Sequence, residues 1–154
     1  MPTIVIRIPE GVFDTAARQK LGENVTEVAK AAEQIGDEPH HAMSTWVIIE
    51  EIKAGNMFSG GRDPLQAFIP ASVFWYYPEG VFDQDGRAEA VRLIQDAIAA
   101  AAPADGRRVI SAVAMTQVDD GTWSAAGTMW RLADFARAAG FKHLQHLVTE
   151  GQAA

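Results

Sequence analysis

Pro2 is the residue of this sequence with the most distinctive chemistry. Removal of Met1, which methionine aminopeptidase carries out before a small residue, leaves a secondary amine at the chain end. An unperturbed α-amino group titrates near about 8, and apolar surroundings lower that value by disfavouring the charged form. A neutral amine near physiological pH is a usable general base. A retained Met1 would instead acylate the nitrogen and abolish its basicity. Proline is also tolerated as the first residue of a strand, so residue type alone establishes no site.

The other reactive side chains offer less. There are no cysteines, which excludes disulfides, thiolate nucleophiles and zinc-thiolate sites and suits a reducing cytoplasm. His143 and His146 lie one helical turn apart and His40 and His41 are adjacent, yet no nearby carboxylate pattern completes a metal site. Arg7, Arg62, Arg107 and Arg108 read as solvated surface cations. The pair Glu50-Glu51 reads as one exposed and one hydrogen-bonded strand residue rather than a catalytic dyad. Trp75, Tyr76 and Tyr77 read as packing in a sheet or an interface. A net charge of −7 argues against a nucleic-acid partner. No apolar run is long enough to span a membrane, and the N-terminus lacks the layout of a signal peptide.

The elements that must position Pro2 come as a duplication. Pro9-Glu10-Gly11-Val12-Phe13-Asp14 recurs as Pro78-Glu79-Gly80-Val81-Phe82-Asp83. An apolar run precedes each copy, Ile4 to Ile8 and Val73 to Tyr77, and reads as a strand. Asp14 and Asp83 then read as helix N-caps. Leu21, Val25, Val28, Ala32 and Ile35 follow helical spacing in the first half, and Val91, Ile94 and Ile98 in the second. Gly36 with Pro39, and Pro103, are the expected stops. Second strands follow, Thr45 to Ile52 and Val109 to Thr116, each running into a glycine-bearing segment, with Gly55 matching Gly121 and Gly61 matching Gly127. Each half is therefore a β-α-β unit. The expected fold is α+β, an α/β sandwich in which tandem units form a four-stranded sheet with two helices on one face. The division is one domain over 1–154, with pseudo-repeats 1–66 and 70–127 and a C-terminal helix over 128–147 that carries Met129, Leu132, Phe135, Ala136, Ala139 and Leu144 on one side. The opposite sheet face is also apolar and needs a cover, which points to self-association.

The Pro2 start, the β-α-β unit and the stretch Val47 to Gly61, ending Ala-Gly-Asn-Met-Phe-Ser-Gly-Gly, resemble 4-oxalocrotonate tautomerase. The form of Ala54 to Gly61 is similar to the fused relatives of the cis-3-chloroacrylic acid dehalogenase kind, and Thr122-Trp123-Ser124 resembles a piece of malonate semialdehyde decarboxylase. The resemblance covers roughly residues 2–127. It implies a tautomerase-superfamily enzyme, an isomerase, with Pro2 as catalytic amine, no cofactor, a small-molecule substrate and a homotrimer. It also implies Trp46, Met57 and Trp123 as pocket walls, with Arg62 the first cation to consider for substrate binding.

The chain departs from that family where the family binds carboxylates. The arginine after Glu10-Gly11 is Val12, and the arginine opening the second strand is Trp46. The dehalogenase arginine pair corresponds to Pro78 and Val81, its glutamate to Ala125, and its helix histidine to a position near Ala29. The decarboxylase aspartate aligns with Ser44. The expected reaction is keto-enol tautomerisation of a 2-oxo acid with an apolar or aromatic substituent. Decarboxylation, or hydration or dehalogenation of a three-carbon acid, and a catalytically degenerate oligomeric binding protein are the alternatives.

Overall fold

The computed structural model describes residues 2–150. Strand β1 spans Thr3–Pro9, helix α1 Thr15–Ala32, a short helix α2 Pro39–Ala42, and strand β2 Trp46–Ile52. The second half repeats the plan with β3 Phe68–Pro78, α3 Gln84–Ala101 and β4 Arg108–Val118. The sheet order is β2-β1-β3-β4, with each half parallel within itself and β1 antiparallel to β3 at the centre. A separate hairpin of β5 (Trp123–Ala125) and β6 (Thr128–Trp130) follows, then α4 Leu132–Ala139 and α5 Gln145–Glu150.

Alternation along the strands sets the faces. Ile4, Ile6 and Ile8 of β1 and Ile69, Ala71, Val73, Trp75 and Tyr77 of β3 are buried beneath the helices. Leu21, Val25 and Ala29 of α1 and Ala90, Ile94, Ala97 and Ile98 of α3 meet them from above. Each large apolar side chain so buried contributes about 1.5–3 kcal/mol. Val91, expected on the buried face, is 36% exposed, because small alanines carry that face and let α3 sit close. Both N-caps form as read: Asp14 accepts from the Ala17 amide and Asp83 from the Gly86 amide, each at 2.7 Å.

The repeat is visible in the backbone. The Glu10 amide donates to the Ile52 carbonyl and the Glu79 amide to the Val118 carbonyl, both at 2.9 Å. The two-residue turn Gly60-Gly61 closes a Ser59–Arg62 bridge with both φ positive, as a type I′ turn requires. Its counterpart closing β5–β6 is Ala126-Gly127, so Ala126 carries a φ of 50° that its side chain disfavours.

Two expectations are corrected. The C-terminal segment is helical, but 128–147 is not one helix. Thr128–Trp130 pairs with β5, and Gly140 ends α4 in the left-handed conformation, as a C-terminal glycine does. Helix α1 stops earlier than Gly36. Ala32 is its last residue, the Gln34 amide donates to Ala31 and the Ile35 amide to Lys30, and Gln34 takes φ 54°. That is a Schellman closure with glutamine in the place glycine favours, and Ile35 is buried as the apolar contact after it.

The strain at Gln34 is testable. Relief of the left-handed penalty outweighs the backbone entropy of glycine, so Gln34→Gly is expected to stabilise by about 0.5 kcal/mol and Gln34→Val to destabilise by about 1–2 kcal/mol. Urea unfolding midpoints of the three chains check the order.

Candidate active site

Pro2 is buried at the start of β1, and its carbonyl accepts from the Trp46 amide at 2.9 Å. It shares the sheet side of Ile4, Ile6 and Ile8, the side covered by helices. Because β1 is antiparallel to β3, with Thr3 opposite Tyr76 and Ile4 opposite Trp75, this end of the sheet is also where β3 and β4 finish. The end of the sheet that holds Pro2 is therefore shared with the second half of the chain.

Helix α1 runs back across the sheet and delivers Glu33 to the same end. Glu33 is fully buried. Its Oε1 accepts from the Trp75 indole Nε1–H at 2.7 Å, and its Oε2 has no hydrogen-bond partner among the described residues. Burial pushes the carboxyl up to about 8, against smaller opposing effects of the positive charge at the chain's start and of the Trp75 hydrogen bond. The group is thus a neutral acid over much of the neutral range, held in an apolar setting. Phe82 stands edge-on to both Trp75 and Tyr77, at 5.6 and 4.9 Å between ring centroids. Beside this cluster a cleft of about 220 Å³ is lined by Ala32, Gln34, Val81, Phe82, Asp83 and His143.

The expected site residues divide between the two ends of the sheet. Trp46 opens β2 beside Pro2 and is 55% exposed. Trp123, on the hairpin that follows β4, packs at 5.6 Å against Phe135, which also receives Trp130 at 5.1 Å. Met57 lies at the opposite end, where it lines a small pocket of about 50 Å³ with Pro9, Glu10, Ile52 and Leu65. Arg62 sits in the exposed turn beyond it. Within one chain, then, Pro2, Trp46 and Trp123 share an end that Met57 and Arg62 do not reach.

No family model matches the sequence, and no curated protein is similar enough in sequence to be matched. Solved structures do match. A fused 4-OT called Q0, a wild-type symmetric trimer, aligns at a TM-score of 0.68 and 18% identity, covering 90% of this chain and 98% of that one. A protein called Pt0534, inactivated by 2-oxo-3-pentynoate, aligns at 0.68 and 14%, covering 83% and 94%. N1, a member of the cis-3-chloroacrylic acid dehalogenase family, aligns at 0.67 and 12%, covering 96% and 99%. The chain has the fused 4-OT fold.

Within the fused 4-OT fold, two of the arginines noted from sequence are engaged elsewhere. Arg7 pairs with Glu50 at 2.7 Å over the Phe74 ring, and Arg107 pairs with Asp105. Glu51 accepts from the Gly11 amide and from Arg18, so both acidic residues of that pair are bonded. Sequence reading missed Glu33, and it missed two cations at the Pro2 end. The half-buried Arg87 directs Nη1 to the Tyr77 hydroxyl at 3.4 Å, and Arg131 pairs with Asp120 at 3.3 Å. The signal for Glu33 was its place four residues after buried Ala29, on the apolar stripe of α1. Among the described residues, no group of three or more His, Cys, Asp or Glu side chains is placed to hold a metal.

The unfolded chain releases the Glu33 proton near 4.5 and the folded chain near about 8. The folded state therefore binds more protons between those values, and stability falls as pH rises through that window. Glu33→Gln is expected to flatten this decline and to be the more stable chain at the upper end, with a ceiling of about 3 kcal/mol. Urea midpoints at about pH 5 and about pH 7.5 for both chains check it.

Proposed function

We propose that this protein is an enzyme of the tautomerase kind, in which the amine of Pro2, freed by removal of Met1, moves a proton between the enol oxygen and the adjacent carbon of a 2-oxo acid. The observation that carries the reading is Pro2 itself, buried at the start of β1 in a fused 4-OT fold. A neutral secondary amine in that setting takes the enol hydroxyl proton as the carbonyl forms, then returns a proton to carbon. The inactivation of the structurally similar Pt0534 by 2-oxo-3-pentynoate supports a 2-oxo acid as the ligand class.

The pocket walls favour an apolar or aryl substituent. The Trp123–Phe135–Trp130 cluster lies at the Pro2 end, with Trp46 at the same end on the opposite sheet face, and Arg87 and Arg131 are among the cations there. Arg87 is suited to hold the single carboxylate every 2-oxo acid carries, because a guanidinium fork matches a carboxylate. A second carboxylate on the substrate would meet aromatic surface and pay a desolvation cost of about 2 kcal/mol or more, whereas a ring gains about 1 kcal/mol from stacking beyond its area. Phenylenolpyruvate is therefore expected to be tautomerised with a higher kcat/KM than 2-hydroxymuconate at pH 7. A preference for the dicarboxylate would bring Arg62 into the site, and activity unchanged in Pro2→Ala would remove the mechanism. A 3-halopropiolate is expected to leave one adduct per chain, on Pro2, since the corresponding residue of the second half, Ala71, is an internal amide.

The assembly we propose is a homotrimer. Trp46, Ile48, Tyr76 and Ile110 are exposed on the sheet face away from the helices, with Phe74 under the Arg7–Glu50 pair. An apolar face of this kind is covered by association. A trimer would also let the Met57 and Arg62 hairpin of one copy approach another. The structurally similar Q0 is a symmetric trimer. Sedimentation equilibrium at micromolar concentration is expected to give three chains, and a stable monomer would refute the assignment.

A further inference from the structure

Glu33 is a buried carboxyl group that the reaction as proposed does not use. Its two oxygens differ: Oε1 is fixed by the Trp75 indole, and Oε2 is enclosed without a hydrogen-bond partner among the described residues. Trp75 lies opposite Ile4 in the β1–β3 ladder, on the helix-covered side that Pro2 also faces two residues earlier. The short Schellman closure at Gln34 fixes the helix end that carries Glu33, so the carboxyl is aimed by backbone geometry and by the indole together. An enclosed oxygen with no donor is a costly arrangement, retained where something brings a proton to it.

We propose that Glu33 is the positioning residue of the Pro2 amine: in the chain freed of Met1, the Glu33 carboxyl and the Pro2 nitrogen form a coupled pair that shares a proton. The inference rests on the reading of Pro2 as a free amine. The positive charge at the chain's start lowers the proton affinity of the carboxyl, so that terminus lies within electrostatic reach of Glu33. The other ionisable groups on the surrounding elements have partners or places of their own. Lys30 is held by Glu27, Lys142 by Asp37, and Arg87 reaches the Tyr77 hydroxyl. His41 lies against Gly36 and Gly140, and His143 lines the cleft beside Ala32 and Gln34.

The pair has two forms of equal net charge. With the proton on Glu33, Pro2 is a neutral base; with the proton on Pro2, a carboxylate faces an ammonium and Pro2 is an acid. Two interacting groups in a low-dielectric site lose their protons in two steps that belong to the pair, and the single-proton state is widened at the expense of the others. Glu33 thereby keeps Pro2 from taking a single titration midpoint set by desolvation alone. It also decides how much of the base form is present when substrate arrives.

The test is a titration that needs no substrate. The Met1-free protein, labelled with ¹⁵N at proline and ¹³C at glutamate carboxyls, is followed by NMR from about pH 5 to pH 10, as wild type, Glu33→Gln and Glu33→Asp. In wild type the Pro2 nitrogen and the Glu33 carboxyl are expected to respond at the same two midpoints. In Glu33→Gln, Pro2 is expected to show one midpoint, lowered by about one pH unit or more from its upper step, and Glu33→Asp to restore part of the difference. The basic limb of the kcat/KM profile is expected to move with it. A Pro2 midpoint unchanged in Glu33→Gln would overturn the proposal. If Glu33→Gln does not fold, the wild-type chain with an acetylated Pro2 replaces it. Loss of the amine charge is expected to raise the Glu33 midpoint by at least about half a pH unit, and an unchanged midpoint overturns the proposal equally. Activity retained in Pro2→Ala would defeat the proposed function, whereas the NMR coupling is decided by titration alone.

Discussion

The antiparallel pairing of β1 with β3 is the constraint on which the rest of the structure depends. It joins two parallel β-α-β halves through their central strands and turns one half over with respect to the other. The start of one half then meets the finish of the other. Pro2 lies at the end of the sheet where β3 and β4 finish, while the matching position Ala71 lies toward the Met57 pocket. On the proposed function the two halves are unequal, because removal of Met1 would free an amine at Pro2, whereas Ala71 is an internal amide.

Burial of a carboxyl group follows from the same geometry. Helix α1 must return across the sheet to reach β2, so its last turn lies over the beginning of β1. Glu33 at that turn has no route to water. The Trp75 indole satisfies one oxygen, and the remaining cost appears as a raised proton affinity rather than as an ion pair. Glutamine at a left-handed position closes the helix just there. Strain and desolvation meet within two residues of each other at the proposed site, which is where locally unfavourable choices collect.

The sheet's far face separates electrostatics from association. Arg7 and Glu50 pair across β1 and β2, and the guanidinium lies over Phe74 at 5.0 Å, so a charged pair caps an aromatic patch instead of breaking it. An exposed pair of this kind contributes little to stability by itself. Its use is to let an apolar face carry fixed polarity, which orients whatever docks there.

Sequence alone determined the duplication, the strand and helix order, the two N-caps and the sheet with helices on one face. These follow from short-range rules: alternation at period two, apolar spacing at helical period, and aspartate before a helix. It also singled out Pro2, because an N-terminal amine is a property of chain position. Tertiary structure decided the rest. Ile35 kept the helical spacing but lies beyond the helix, since Gln34 closes it through a conformation that periodicity does not report. Thr128–Trp130 folds back on the strand just before it through the Ala126-Gly127 turn, a choice that an apolar pattern shared by helix and strand leaves open. Met57 and Trp123 matched pocket positions equally well in sequence, and the antiparallel junction sends them to opposite ends. Glu33 was not singled out in the sequence. Its hydrogen bond depends on a tryptophan forty-two positions away, which only the folded chain brings to it.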